Sequence, residues 1–247
     1  MTSTPALSSS KEKTNFARLC RLLVDGGTQA LRNIFDTFYP PANLQTDLAK
    51  PAVHSNLKLL KTKKILTPSQ WGNLYPAIPS GVTSANFDIT LLCILLRNIC
   101  SLTAPVSGWD SMPAEGDLNT EDDVVRLRLY RNQLNHPSNT SITDTDFNHY
   151  WNGISKAVVR LGGKDFKEAI RKLECMNMDP DFEDHYVSLL KDWCVNDSSV
   201  NEKLLEISEQ IKPLVSQLER KVFCNEGTQT EGMSLGKCSL FFLQNVC

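Results

Sequence analysis

The stretch FDITLLCILLRNICSL, from Phe87 to Leu102, decides the fold of this 247-residue chain. Its apolar residues run nearly all round a helical wheel, which is typical of a central helix that its neighbours bury on most sides. The uninterrupted apolar run stops at Arg97, far short of the roughly 20 apolar residues that a membrane-spanning helix needs. The stretch therefore predicts the core helix of a helical domain and no membrane partner.

Helical periodicity continues on both sides of this segment. No stretch alternates apolar and polar residues for long enough to predict a sheet, so we expect an all-α helical bundle. The helices predicted upstream are one from Asn15 to Phe38 with a break at Gly26-Gly27, one from Leu44 to Leu60, and a short one capped by Thr67 with Pro68 in its first turn.

Downstream of a polar loop, two threonine–aspartate pairs have the spacing of capping boxes, Thr120 with Asp123 and Thr143 with Asp146. Gly162-Gly163 is predicted to end the second of these helices. Two shorter helices follow: one through Phe166, Ile170 and Leu173, and one capped by Asp179, with Phe182, Tyr186, Leu189 and Trp193 along its apolar stripe.

Composition divides the chain into four predicted parts. Residues 1–14 carry no hydrophobic leader and are predicted to be a disordered lead, which favours a cytoplasmic protein. Residues 15–195 hold the helical domain. Residues 196–224 have a short heptad-like stripe that predicts an amphipathic linker helix, with coiled-coil pairing and packing on the same domain both open. Residues 225–247 lose this periodicity and are predicted to be a disordered tail.

Charge and cysteine usage argue against two classes of function, nucleic-acid binding through overall charge and binding of a structural metal. There are 26 Lys and Arg against 28 Asp and Glu, a net charge of −2, so affinity for RNA must come from a local patch. The eight cysteines are scattered with no C-x-x-C pair, and the histidines lack zinc-site spacing to them. We therefore predict no metal and no cofactor, and we expect Cys93 and Cys100 to serve as small core hydrophobes.

Glycine-rich phosphate loops and familiar nucleophile motifs are missing from the sequence, and the candidate site is instead the segment RNQLNHP, residues 131–137. On a helix, Arg131 lies in the middle of the apolar stripe formed by Val124, Leu127 and Leu134. An arginine there is costly to bury unpaired. Three explanations of its position are open: a salt bridge to a carboxylate on a neighbouring helix, a place at the rim of the stripe, or a role in chemistry.

His136 adds weight to the chemical explanation. Pro137 disfavours helical geometry at the preceding residue, so we expect the helix to end at His136 and its imidazole to be free to turn toward Arg131. The alternative is a helix-terminal imidazole that favours the last carbonyl groups. Asn132 lies between the two side chains and is predicted to orient one of them.

This Arg-Asn-x-x-x-His segment resembles the motif of the HEPN superfamily. The longer pattern around it is similar to the HEPN-type domain of the DAZ-interacting ubiquitin-ligase group, over roughly residues 15–193. The segments that carry the likeness are Gln70-Trp71, Phe87 to Cys100, Gly108-Trp109-Asp110, Tyr130-Arg131-Asn132, Tyr150-Trp151, Arg160-Leu161-Gly162-Gly163 and residues 178–183.

The resemblance implies a helical bundle that forms a homodimer, with two copies of the motif in one cleft and metal-independent cleavage of single-stranded RNA in active members. It implies that His136 is the general acid and base, that Arg131 stabilises the phosphate, and that Asn132 positions them. The products would carry a 2′,3′-cyclic phosphate. Slight support for an RNA partner comes from the cluster Lys58, Lys61, Lys63 and Lys64, and from Arg126 and Arg128 next to Arg131.

The alternative is a non-catalytic dimerisation or scaffold module of a ubiquitin-ligase-like or innate-immune signalling protein, with the 196–224 helix as a contact for protein partners. The chain has no RING-like spacing of cysteines and histidines, so the sequence predicts no zinc-dependent ligase activity of its own. An arginine locked in a buried pair with a carboxylate would favour this alternative, because it could not reach a substrate.

Overall fold

The computed structural model describes residues 11–134, 141–176, 178 and 181–192. Every regular element in these ranges is helical, which confirms the predicted all-α class. The described residues fall in the first of two units, which spans residues 1–197; the second, 198–247, lies outside them. The predicted linker helix and tail also lie outside the described residues, so the four-part division stays a prediction.

The first helical rod is interrupted at the predicted glycine pair. Helix α1 (Lys11–Arg21) runs into a π-helical turn, Leu22–Gly27, and then into α2 (Thr28–Phe38). The helix therefore starts before the predicted Asn15, and the predicted break is a widened turn rather than an end. A Cβ atom on Gly27 would lie 3.4 Å from Ile89 Cδ1, so the rod lies close to the core helix here.

Short helices connect this rod to the core helix: α3 (Leu44–Leu48), α4 (Pro51–Thr62) and α5 (Pro68–Leu74). The predicted cap of α5 is confirmed as a full capping box, because Gln70 N donates to Thr67 Oγ1 at 3.2 Å and Thr67 N donates to Gln70 Oε1 at 3.0 Å. Two 3₁₀ turns, Pro79–Gly81 and Ser84–Asn86, then lead to the core helix.

The core helix α6 (Ile89–Ile99) is buried as its sequence predicts. Asp88 caps it by accepting a hydrogen bond from Leu91 N at 2.7 Å, and Cys93 and Cys100 are buried, as expected of small core hydrophobes. The aliphatic side chains of this helix that have no exposed surface are Ile89, Leu91, Leu92, Leu95 and Leu96. Helices on several sides therefore enclose α6, which fits its uniformly apolar wheel.

Helix α7 (Thr120–Leu134) starts differently from its predicted cap. The carboxylate that reaches back to the start of the helix is Asp122, whose Oδ2 accepts from Asn119 N at 2.9 Å. Asp123, the predicted capping partner of Thr120, is fully buried instead and accepts from two arginines: Arg126 Nη1 at 2.9 Å, and Arg160 Nε and Nη2 at 2.6 Å each. A tertiary ion-pair cluster thus takes the place of the predicted local cap.

Three helical segments complete the described part: α8 (Asp144–Gly162), α9 (Asp165–Cys175) and a segment over 181–192. The Thr143 cap of α8 is confirmed by a 3.2 Å bond from Asp146 N to Thr143 Oγ1. Gly163 has φ +92°, a left-handed conformation that ends α8 where the glycine pair predicted.

The apolar stripe predicted for the last segment is wrong by one residue. Phe182 is exposed and Glu183 is buried instead, with Glu183 Oε1 accepting from Thr14 Oγ1 at 2.6 Å. Tyr186 Oη donates to Asp25 Oδ2 at 2.8 Å. The segment therefore turns a mixed polar and apolar face to the N-terminal rod. The predicted cap Asp179 and the stripe residue Trp193 lie outside the described residues.

Helices α7 and α8 approach closely at one glycine. A Cβ atom on Gly153 would lie 2.3 Å from Tyr130 Oη and 2.9 Å from Tyr130 Cε2. Tyr130 is buried and contacts the Tyr150 ring edge-to-face, with centroids 5.9 Å apart. The tyrosine therefore occupies the space that any larger residue at position 153 would need.

We expect Gly153→Ala to lower the free energy of unfolding by about 1–3 kcal/mol, because the buried tyrosine must move to admit the methyl group. Urea denaturation followed by circular dichroism measures the change. Gly72→Ala on α5 is the matched control: no atom lies within 4 Å of its added Cβ, so stability should rise by up to about 1 kcal/mol. Equal stability of Gly153→Ala and the wild type would contradict the close approach.

We expect Asp123→Asn to lower the free energy of unfolding by about 3–5 kcal/mol, since it leaves Arg126 and Arg160 without their buried counter-charge. Asp110→Asn is the control. The Asp110 carboxylate, which pairs with Arg128, is 58% exposed, and ion pairs in solvent contribute about 1 kcal/mol or less to stability. Similar losses in the two variants, by the same urea titration, would overturn the assignment of Asp123 as an interior charge.

Candidate functional site

Arg131 lies in the last turn of α7 and is only 1% exposed. Its Nη1 donates to Thr90 Oγ1 on the core helix. Its Nε and Nη2 both donate to Asn132 Oδ1, at 3.1 and 2.7 Å. The guanidinium therefore lies between α6 and α7 with its donors directed at protein acceptors, and in the described chain it does not reach a solvent-exposed cleft.

A carboxylate lies close to this buried cation. Burial raises the pKa of Asp88, while the hydrogen bond from Leu91 N, the positive charge of Arg131 and a hydrogen bond from the Gln70 side chain lower it. Asp88 caps α6, and Gln70 belongs to the capping box of α5. We call Gln70, Asp88, Thr90, Arg131 and Asn132 the polar cluster. It joins the start of two helices to the end of a third.

The structure brings together two of the three predicted site residues. Asn132 holds the guanidinium of Arg131 through two hydrogen bonds, which is the kind of contact that a positioning residue makes. His136 lies outside the described residues, so its place relative to Arg131 stays a prediction. Of the two described residues, Arg131 is buried and directs its Nε, Nη1 and Nη2 donors at protein acceptors.

Thr90 and Asp88 are the contacts of Arg131 that sequence reasoning did not identify. One signal was available: Asp88 stands three residues before Leu91, at the spacing of an N-cap, and Thr90 is a polar residue at the start of a very apolar run. A buried arginine needs acceptors nearby, so a polar residue within the core helix was the place to look.

The other two arginines of α7 bind the loop that precedes this helix. Arg126 pairs with Asp123 and donates to Ala114 O, and Arg128 donates to Trp109 O and Asp110 Oδ1. Both hold the 101–119 loop against the helix. They therefore do not add to a basic patch around Arg131.

The lysine cluster of α4 borders an aromatic group. Lys61 Nζ lies 4.2 Å from the centroid of the Trp71 ring, a cation–π contact. Trp71 in turn packs on Tyr75, and His54 contacts both rings edge-to-face. Lys58, Lys61 and Lys64 are exposed. We call this the α4–α5 basic surface.

In the ranges that the structure describes, no group of three or more His, Cys, Asp or Glu side chains is arranged to hold a metal ion. None of the helices described there is both long and apolar enough to cross a membrane.

Comparison with known proteins identifies the family. The family model described as DZIP3/hRUL138-like HEPN matches residues 41–186. The chain is 33% identical over 155 residues to the E3 ubiquitin-protein ligase DZIP3 of Mus musculus, and 32% identical over 150 residues to that of Homo sapiens. Each match covers 60% of this chain and 12% of the relative. No solved structure matches. The family model spans more than half of the chain, which therefore belongs to the DZIP3/hRUL138-like HEPN family.

Proposed function

We propose that this chain is a non-catalytic HEPN-type interaction module, a dimerisation or scaffold element of a ubiquitin-ligase-like protein. The observation that carries the proposal is the burial of Arg131 and its hydrogen bonds to Thr90 and Asn132. An arginine that stabilises a phosphorane must present its N–H groups where the phosphate lies. Here those groups contribute to helix packing.

Recruiting Arg131 to a substrate would have a large energetic cost. The guanidinium would leave Thr90 without its donor, and it would remove the positive charge that favours the ionised form of Asp88. Buried polar groups that lose a partner cost about 1–3 kcal/mol each, and more when they are charged. A structural role for Arg131 avoids this cost.

The relatives support a modular role. The curated relatives are named as E3 ubiquitin-protein ligases, and the matched stretch is 12% of their length. A domain that forms so small a share of a ligase is suited to holding partners or copies together while other parts act. We extend this role to the present chain and expect it to form a homodimer. Light scattering at micromolar concentration tests this expectation, and a monomer would contradict the proposal.

Metal-independent cleavage of RNA is the second candidate function. The double hydrogen bond from Arg131 to Asn132 Oδ1 favours it, because an ordered guanidinium is what such a site needs. In this candidate Arg131 stabilises the phosphate, His136 moves the protons, Asn132 positions them, and the α4–α5 basic surface holds single-stranded RNA.

We expect Arg131→Ala to lower the free energy of unfolding by about 3–5 kcal/mol, because it removes a buried charged hydrogen-bonding group and leaves a cavity. Urea denaturation measures the loss. Arg171→Ala is the matched control, since that arginine is largely exposed and its partner Glu168 is also in solvent, so the change should stay within about 0.5 kcal/mol. A stable Arg131→Ala protein would contradict the structural role and restore the catalytic one.

We expect the purified full chain to leave single-stranded RNA intact in the presence of EDTA. His136→Ala should change neither this result nor the thermal stability, because in the proposed module the imidazole does no chemistry. The RNA is followed by gel electrophoresis, with 2′,3′-cyclic phosphate ends as the specific readout. Cleavage by the wild type that disappears in a folded His136→Ala protein would replace the first proposal by the second.

A further inference from the structure

Helices α8 and α9 border a shallow groove of about 390 Å³ that is open to solvent. Four of its eight lining residues are cationic, Lys156, Arg160, Lys167 and Arg171, and Glu174 is the single carboxylate. Asp123 pairs with Arg160 and Glu168 pairs with Arg171, so the uncompensated positive charge of the groove lies mainly on Lys156 and Lys167, whereas the whole chain carries −2. A positive groove on a slightly acidic protein is a local site for an anion.

One cation of the groove, Arg160, is held in place by a buried carboxylate. The carboxylate of buried Asp123 accepts from Nε and Nη2 of Arg160 at 2.6 Å each, and this contact raises the pKa of Arg160. Its Nη1 is not used in that pair. Because the side chain is fixed, the remaining N–H groups lose little conformational entropy when they bind an oxyanion.

The other donors of the groove have weak partners or none among the described residues. The hydroxyl oxygen of Ser155 is buried and has no hydrogen-bond partner among the described residues, although serines on helices usually donate to a backbone carbonyl. Lys156 and Lys167 form no ion pair within the described ranges. Arg171 pairs with Glu168 at 3.2 Å in solvent, a contact weak enough to be exchanged.

The shape of the groove favours a phosphorylated peptide over RNA. No aromatic ring lines it, and proteins that bind single-stranded RNA usually stack the bases on such rings. Val159 and Ile170 instead give the groove an apolar part, which suits an aliphatic side chain next to the charged group. A phosphate monoester also carries nearly two charges, which matches the two ammonium groups of Lys156 and Lys167 better than one phosphodiester does.

We propose that the α8–α9 groove binds a phosphorylated serine or threonine side chain of a partner protein. Arg160, Lys156 and Lys167 contact the phosphate oxygens, and Ser155 donates its hydroxyl hydrogen to one of them. The apolar residue beside the phosphorylated one packs on Val159 and Ile170. The groove is separate from the polar cluster, so the proposal stands whether Arg131 is structural or catalytic.

The test uses the full chain and two fluorescent degenerate peptide pools with the same flanking residues, one with a central phosphoserine and one with serine. Fluorescence anisotropy should show binding of the phosphorylated pool about tenfold tighter than binding of the other, as charge-assisted hydrogen bonds predict. Equal binding of the two pools would overturn the proposal.

Two groove variants and one control localise the binding. Lys156→Glu/Lys167→Glu should weaken binding of the phosphorylated pool by about tenfold, and Ser155→Ala by about fivefold. Lys50→Glu/Lys191→Glu, the same charge change at two exposed lysines that do not line the groove, should leave it unchanged. Equal losses in the groove variants and the control would overturn the site, with folding of each variant checked by circular dichroism.

A short oligouridine separates the phosphopeptide from RNA. We expect it to fail to displace the phosphorylated pool at concentrations where the phosphorylated pool displaces itself. Displacement by oligouridine, together with loss of oligouridine binding in Lys156→Glu/Lys167→Glu, would reassign the groove to RNA and overturn the proposal. Neither result depends on RNA cleavage or on the oligomeric state, so failure here is distinguishable from failure of the proposed function.

Discussion

The positive charge of Arg131 must be balanced inside the protein, and this constraint shapes the centre of the bundle. A guanidinium that is 1% exposed is tolerated only with acceptors around it. Thr90 on the core helix and Asn132 on its own helix supply them, and Asp88 adds a nearby negative charge. Helices α6 and α7 are thereby held in one register, since a shift by one residue would separate donors from acceptors.

The negative charge of buried Asp123 must likewise be balanced inside the protein, here by arginine side chains. Its carboxylate is satisfied by Arg126 from its own helix and Arg160 from α8. Bonds from arginine side chains to backbone carbonyls then hold the preceding loop in place. The helices thus meet through two charged clusters set within an apolar core, and the hydrogen bonds of these clusters add directional contacts to non-directional hydrophobic burial.

Local pattern predicted the elements, while tertiary contacts decided the details. The caps at Thr67 and Thr143 were predictable because a capping box is formed by residues three apart. Asp123 could not be told from Asp122 as the capping carboxylate, because the choice depends on Arg160, which is distant in sequence. The predicted buried face of the 181–192 segment was wrong, because Glu183 turns inward and accepts a hydrogen bond from Thr14. For the site, the unusual placement of Arg131 in an apolar stripe was visible, whereas its partners on α6 were not.

The near-neutral charge of the chain conceals how its cations are divided. Arg126 and Arg131 direct their charge into the protein, where Asp123 pairs with the first, and neutral acceptors and nearby Asp88 stabilise the second. Lys156 and Lys167 direct theirs into a groove with one carboxylate. Arg160 does both, because Asp123 holds two of its nitrogens and the third is left for a ligand. The interior cluster therefore gives the groove a rigid donor, and a change at Asp123 would reach the groove through Arg160.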